Sequence, residues 1–519
     1  MAETKREIER KYEATGDRPL PDLTRVPRVA EVVDDGVMEL DAVYYDTPDL
    51  RLAADGLTLR RRTGGSDAGW HVKFPVTAGV RDEIRAPLSD TLPGELAGLL
   101  RSRVRHAEVV PVVRLRSARD VRRLLAADGS ALAELSVDTV RAERLPDGPT
   151  ADWTEIEVEL ADGIDDPALL DAVEQCLRTA DVHPSTAPSK LARALAETGT
   201  APDAGTAPEA ATGADAADRA RPAKPGTAGA AVLAYVREQH EAIVALDPAV
   251  RRDLPDAVHR MRVACRRMRS AFKTYRRVLD REVTDPVGEE LKWLAGELGV
   301  ARDQEVLDAR LRARVADLPP DLTLGPVTAR LRRRDAALAR SARRRALDAL
   351  DSERCLALLD TLHALLADPP LRADARRAAP KVLARAVRKD HERLARRIEH
   401  ALALAPGEER DRALHEARKA AKRARYAADA ARPALGKPAK KLAKRVKAVQ
   451  SLLGEHQDAV VARAALREIA IQAHAAGESA FTWGLLHGRE EAAAAAAERE
   501  LPAVWARASA PGLTAALTR

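Results

Sequence analysis

The chain has little of several things that would have fixed its class at once. Only three cysteines occur in 519 residues, Cys176, Cys265 and Cys355. They are odd in number, far apart and without metal-ligand spacing, which excludes a disulfide framework and a cysteine-zinc site. No apolar run reaches the roughly 18 residues of a membrane-spanning helix. The chain is charged from residue 3 and lacks an apolar leader segment, so no secretion signal and no membrane partner are expected, and a cytoplasmic location follows. Aromatic residues make up only 3% of the chain, which leaves few stacking platforms for single-stranded nucleic acid. A global excess of one charge is missing too, because 86 basic and 80 acidic residues nearly cancel. The basic residues are instead concentrated near 259–281 and 415–447. Such local fields recruit polyanions.

The N-terminal part carries a charge pattern at strand spacing. Successive side chains of a strand point to opposite faces. In Glu7-Ile8-Glu9-Arg10-Lys11, Glu7, Glu9 and Lys11 share one face. In Glu155-Ile156-Glu157-Val158-Glu159-Leu160, three carboxylates share one face and three aliphatic residues the other. Leu59–Arg62 and Trp70–Phe74 add Arg60, Arg62 and Lys73. Further strand-like segments at 43–46, 109–115 and 131–141 suit an antiparallel barrel with a polar lumen. Short helices are expected at 92–102 and 167–180. Hard cations such as Mg²⁺ or Mn²⁺ take oxygen ligands, and phosphate chains need cations around them. Glu7, Glu9, Asp138, Glu157 and Glu159 are therefore candidate metal ligands, with Glu155 close to them in type. Lys11, Arg60, Arg62, Lys73, Arg114, Arg116 and Lys190 are candidate phosphate clamps.

Residues 199–227 are mostly Ala, Gly, Pro, Thr and Asp. They offer too little apolar surface to offset ordering entropy, so a flexible linker is expected between a domain at 1–198 and another at 228–510. The second domain reads as helical throughout and contains a repeat. Val236–Glu241 matches Val387–Glu392, Val258–Arg262 matches Leu414–Arg418, and Leu298-Gly299 followed by Asp303 matches Leu453-Gly454 followed by Asp458. Two homologous helical halves are expected. At helical spacing, His259, Arg262, Arg266 and Arg269 form one cationic stripe and His415, Arg418, Lys422 and Arg425 another. Each borders an apolar stripe, which places the cations at the wall of a groove between the halves. Without aromatic platforms, a bare phosphate chain suits them better than a nucleic acid.

On these residues the first 198 positions resemble a CYTH domain, of the triphosphate tunnel metalloenzyme family, and 228–510 resembles a CHAD domain. The first resemblance implies an eight-stranded antiparallel closed β tunnel with flanking helices, which binds triphosphate with divalent metal. The second implies an all-α bundle of two repeats that binds inorganic polyphosphate. The expected reaction is metal-assisted hydrolysis of inorganic triphosphate or polyphosphate, with Glu155, Glu157 and Lys11 as catalytic candidates. The same motifs occur in adenylate cyclases and thiamine-triphosphatases of the family, and a non-catalytic polyphosphate adaptor is a further alternative.

Overall fold

The computed structural model describes residues 3–14, 19–65, 67–199 and 224–517. Most of the expected linker therefore lies outside the described residues. The chain divides into two compact units, Met1–Ala210 and Ala211–Arg519.

Unit one is a closed eight-stranded antiparallel β-barrel. Its strands are β1 (Glu3–Ala14), β2 (Glu31–Asp46), β3 (Thr58–Thr63), β4 (Gly69–Thr77), β5 (Val80–Ala86), β6 (Val110–Leu125), β7 (Ala131–Arg144) and β8 (Thr150–Leu160). The order around the barrel is β5-β4-β3-β2-β6-β7-β8-β1, and β1 pairs back onto β5 to close it. A short strand, β9 (Val182–Pro184), adds to the second half of β1.

The alternation read from the sequence sets the two surfaces of the wall. Ile156, Val158 and Leu160 face outward and pack under the helix Pro167–Arg178, through Leu169, Leu170, Val173 and Leu177. The outward faces of β3, β4 and β5 are covered by the helix Gly94–Val104. The opposite residues of each strand point into the lumen. One end of that lumen is apolar. Val113, Leu115, Val140, Ala142 and Trp153 meet Leu191, Ala194 and Leu195 of a helix, Lys190–Glu197, that closes it.

Among its described residues unit two is all helical apart from isolated bridges, with one continuous apolar core and a smaller satellite core. Helices Ala228–Arg251 and Ala257–Thr274 have counterparts in Ala379–Ala403 and Glu408–Ala430. Ala417, Ala421, Ala424 and Ala428 are buried, so small side chains let helices approach closely. The repeat extends to single atoms. The Arg262 guanidinium lies against Gly299, where an added Cβ would meet Nη2 at 2.9 Å, and Arg418 lies against Gly454, where the distance is 3.4 Å. Arg262 pairs with Asp303 at 3.0 Å, and Arg418 with Asp458 at 3.7 Å. The repeated glycine thus leaves room for the repeated arginine.

Candidate functional site

The barrel encloses a cavity of about 330 Å³ whose lining is mostly charged. Glu7, Glu9 and Lys11 enter it from β1, Arg60 and Arg62 from β3, Lys73 from β4 and Glu157 and Glu159 from β8, with Lys190 at the start of the closing helix. At the end away from that helix the lining includes Asp162, whose side chain is 77% exposed, so the cavity opens to solvent there.

Three ionic groups line the wall. The deepest surrounds Lys190, whose Nζ lies 3.0 Å from Asp138, 2.6 Å from Glu155 and 2.7 Å from Glu157. The carboxylates of Asp138, Glu155 and Glu157 approach one another within 4.8 Å. Burial opposes charge on Lys190, but the three acids outweigh it and raise its proton affinity. The second group joins Lys11 to Glu157 and, at 3.4 Å, to Glu9. Burial pushes both carboxyls up, yet Lys11 and further cations hold both below the usual range, Glu157 strongly so. The third centres on Glu83. It accepts from His71 Nδ1 at 2.9 Å, lies 3.6 Å from Lys73 and 3.4 Å from Arg60, and pairs with Arg85. Lys73 in turn donates to Glu7 at 2.6 Å. Burial, with Glu83 and Glu159 nearby, raises the Glu7 carboxyl despite Lys73. Burial also lowers His71 to about 4, so this imidazole is a neutral strut.

Several expected residues fall elsewhere. Arg114 and Arg116 stand on the outer face of β6, where Arg114 donates to Asp41 at 2.9 Å and Arg116 lies 3.9 Å from the same acid. The inner face of β6 is apolar at the plugged end, where Val113 and Leu115 meet the closing helix, so Arg114 and Arg116 take the opposite face. The inward cation of β6 is Arg119, which sequence reasoning missed. It holds Asp138 through two bonds of 2.8 Å and Glu157 at 3.0 Å. Glu155, a catalytic candidate, does not line the cavity. It is buried, with one oxygen on Lys190 and the other accepting from the Trp153 indole at 2.8 Å. Asp138, a metal candidate, is fully buried behind Arg119 and Lys190. Both acids hold cations in place. Glu83, Arg81 and Arg85 were also missed. Their alternation on β5 around Asp82 and Ile84 was the available signal.

Oxygen donors fit a hard divalent cation. Glu7, Glu9, Glu157 and Glu159 all reach the cavity and could supply them. A second cluster, Asp411, His456 and Glu498 in unit two, also groups metal-ligating atoms. Its two carboxylates are already neutralised by Arg463 at 2.8 Å and Arg410 at 3.1 Å.

In unit two, the helices Ala257–Thr274 and Glu408–Ala430 pack together and bring their cationic stripes to one seam. Burial, then Arg418 and Arg266, with Arg262 behind them, lower the Lys422 ammonium to about 8. The buried Nε atoms of Arg262, Arg266, Arg269 and Arg418 have no hydrogen-bond acceptor. A crowd of cations with unused donors is matched by a bound anion. His415 shares the seam face, its Nδ1 2.5 Å from Gln457, and His259 is half-buried on the partner helix. Arg425 is held by Gln450 at 3.1 Å and Asp429 at 3.5 Å.

Comparison with known proteins bears on both units. The CYTH domain family model matches residues 5–195 and the CHAD domain model residues 234–467. The Mycobacterium tuberculosis protein Rv2226 is 38% identical over 501 residues, 93% of this chain and 92% of its own. Among solved structures, PptA from Streptomyces chartreusis is 24% identical, covers 54% of this chain and 99% of its own, and has a TM-score of 0.45. The CHAD domain from the plant Ricinus communis is 27% identical, covers 56% of this chain and 96% of its own, with a TM-score of 0.44. The chain belongs to the proteins that join an N-terminal CYTH domain to a C-terminal CHAD domain.

Proposed function

We propose that the barrel hydrolyses the terminal phosphoanhydride of inorganic triphosphate or polyphosphate with Mg²⁺ or Mn²⁺, and that the helical unit binds the polyphosphate chain. The observation that carries this reading is the lumen itself, where carboxylates and cations alternate around a closed wall that ends in an apolar plug. Such a cavity takes an anion that brings its own hard cations. It accepts a chain by its end, through the mouth near Asp162.

Glu9 and Glu157 would hold the cations, with Glu159 beside them on the same wall, because an ionised carboxylate is the better ligand and the cations around Glu9 and Glu157 keep both ionised. Bound divalent ions supply charge neutralisation of the phosphate chain and a more acidic attacking water. Arg60, Arg62, Lys73 and Lys11 clamp the phosphoryl oxygens and stabilise charge on the transferred and leaving groups. Burial and the neighbouring Arg60 and Arg119 lower Arg62 to about 9 although its guanidinium also pairs with Asp67, so an arriving phosphate adds a second anion against that repulsion. Glu7, held above the usual carboxyl range, is the better-matched proton acceptor for the attacking water. Glu155 and Asp138 act from behind the wall by fixing Lys190 and Arg119. Catalytic effect thus falls to Lys11, Glu157 and Glu7, with Glu155 as a positioning residue.

The test offers purified protein, with Mg²⁺ or Mn²⁺, tripolyphosphate, long-chain polyphosphate, ATP and thiamine triphosphate, and follows products by phosphorus NMR. Orthophosphate released from the inorganic chains, and lost in Glu157→Gln, is the expected result. Cyclic AMP from ATP, preferential turnover of thiamine triphosphate, or no turnover at all would each replace this reading with one of its rivals.

A further inference from the structure

Unit two has a second concentration of positive charge, away from the seam. Two cavities of about 360 and 400 Å³ adjoin one another and share Arg276, Arg277 and Asp374. They lie where the helix Ala257–Thr274 ends and the helix Ala379–Ala403 begins. Lys381, Arg385 and Lys389 line the cavity of about 360 Å³ at successive turns of the second helix, together with Arg388. Some cations here are already neutralised. Arg377 pairs with Asp374 at 3.1 Å, and Arg281 with Asp285 at 2.5 Å. Among the described residues, Arg276, Arg277, Lys381, Arg385, Arg388 and Lys389 have no ion-pair partner.

The repeat distinguishes this cluster from the shared scaffold. Val387 corresponds to Val236, so Lys381, Arg385 and Lys389 correspond to Ala230, Ala234 and Glu238. Helices with equivalent packing thus carry three cations in one half and two alanines and an acid in the other. Nothing in the bundle architecture requires the cations.

A line of basic groups also joins the cluster to the seam. Along the helix Ala257–Thr274, Arg262, Arg266, Arg269 and Lys273 follow one stripe. At its end Arg423 reaches across from the other stripe-bearing helix and donates to the Lys273 carbonyl at 2.7 Å and to Asp390 at 3.0 Å. Burial, with Asp390 partly offsetting, leaves Arg423 below its ordinary value, and Arg276 is among the cations that weigh on it. The charge therefore continues from the seam to the cavities without a break of opposite sign strong enough to balance it.

We infer that these cavities are a second phosphate-chain site, continuous with the seam, so that one long inorganic polyphosphate occupies both while a short chain occupies only the seam. This rests on the proposed role of the helical unit and adds its chain-length preference. A linear polyanion suits a track of separate cations, because each phosphoryl meets one and releases condensed counterions. The cavities present no aromatic face for a base to stack on, since Tyr275 is fully buried with its hydroxyl on the Ala427 carbonyl.

The test compares wild-type protein with Arg385→Glu/Lys389→Glu for binding of tripolyphosphate and of long-chain polyphosphate across a range of salt, with divalent cations chelated so that the barrel neither binds nor hydrolyses the chains. Both substituted side chains are exposed, and Arg385→Lys/Lys389→Arg serves as the charge-preserving control. The expected result is a loss of long-chain affinity of about tenfold or more. The slope of log affinity against log salt should fall by roughly two, tripolyphosphate affinity should change by less than about twofold, and the control should behave as wild type. Unchanged long-chain affinity, or an equal loss for both chain lengths, overturns the second site while leaving the seam in place. A wild-type protein that binds neither chain overturns the parent reading of the helical unit. Single-stranded nucleic acid that binds more tightly than polyphosphate at equal phosphate count, and loses affinity in the charge-reversed variant, would make nucleic acid the ligand and refute the proposal.

Discussion

Replacing Lys190 by Met should destabilise the metal-free barrel more than almost any other single change to the lumen. The ammonium sits within 3.0 Å of Asp138, Glu155 and Glu157, and its side chain is only 9% exposed. Methionine keeps the length and apolar stem but leaves three carboxylates to share Arg119 and Lys11, one positive charge short. Removing one partner of a buried ion pair costs about 3–5 kcal/mol, because the remaining charge is uncompensated. For a unit of this size that is a fall in the barrel's Tm of about 6–20 °C. Folding raises the Lys190 proton affinity, so its contribution is complete below the ordinary lysine value of 10.5 and is lost only above it. The difference between variant and wild type should therefore be flat between about pH 6 and 9. The three carboxylates, freed of the ammonium, also group oxygen ligands within 4.8 Å of one another, so Mn²⁺ should restore more stability to the variant than it adds to wild type. Calorimetry with and without Mn²⁺ measures both effects. A loss below about 1 kcal/mol, or a Mn²⁺ gain no larger than in wild type, would refute the electrostatic account of the lumen.

Other consequences can be measured independently. Lys422 is held near 8, so it loses its proton as pH rises through that value, and an arriving anion draws the proton back. Polyphosphate affinity at fixed ionic strength should then fall between about pH 7 and 9, and Lys422→Arg should flatten that fall. Gly299→Ala places a methyl 2.9 Å from the Arg262 guanidinium. Its helix gains up to about 1 kcal/mol in propensity, so thermal stability should hold or rise while polyphosphate affinity drops severalfold. Gly454→Ala, with 3.4 Å of room, should do less. Charge reversal at Arg262 and Arg418 together should weaken long-chain binding and spare tripolyphosphate turnover in the barrel, read by phosphorus NMR.

Where the sequence was read correctly, local periodicity and environment agreed. On β8, Ile156, Val158 and Leu160 face an outer helix and Glu155, Glu157 and Glu159 face inward, so strict alternation carries the assignment. The same holds for β1, and the cationic stripes of the helical unit follow from spacing alone. The failures arise where another element changes the polarity of a face. On β6 the closing helix makes part of the inner wall apolar, so Leu115 looks outward in sequence and Arg114 inward, the reverse of their positions. No local pattern announces that helix as a plug, since its partners lie on four strands distant in sequence. Depth along a strand is equally invisible. Glu155 and Glu157 are alike in the sequence, yet the first is enclosed by Trp153 and Lys190 and only the second reaches the cavity. The Gly299 and Gly454 positions were legible as repeats. Their cause, a guanidinium from another helix, required coordinates.

The central claim is that the barrel lumen seats a triphosphate together with divalent cations. A crystal structure of the full chain grown with Mn²⁺ and tripolyphosphate, with manganese located by anomalous scattering, tests it most directly. The account predicts manganese beside Glu157 and Glu9, with phosphoryl groups on Arg60, Arg62 and Lys73. Manganese and phosphate bound only on the outer wall near Asp41 and Arg114, with the lumen's own ion pairs undisturbed, would contradict it.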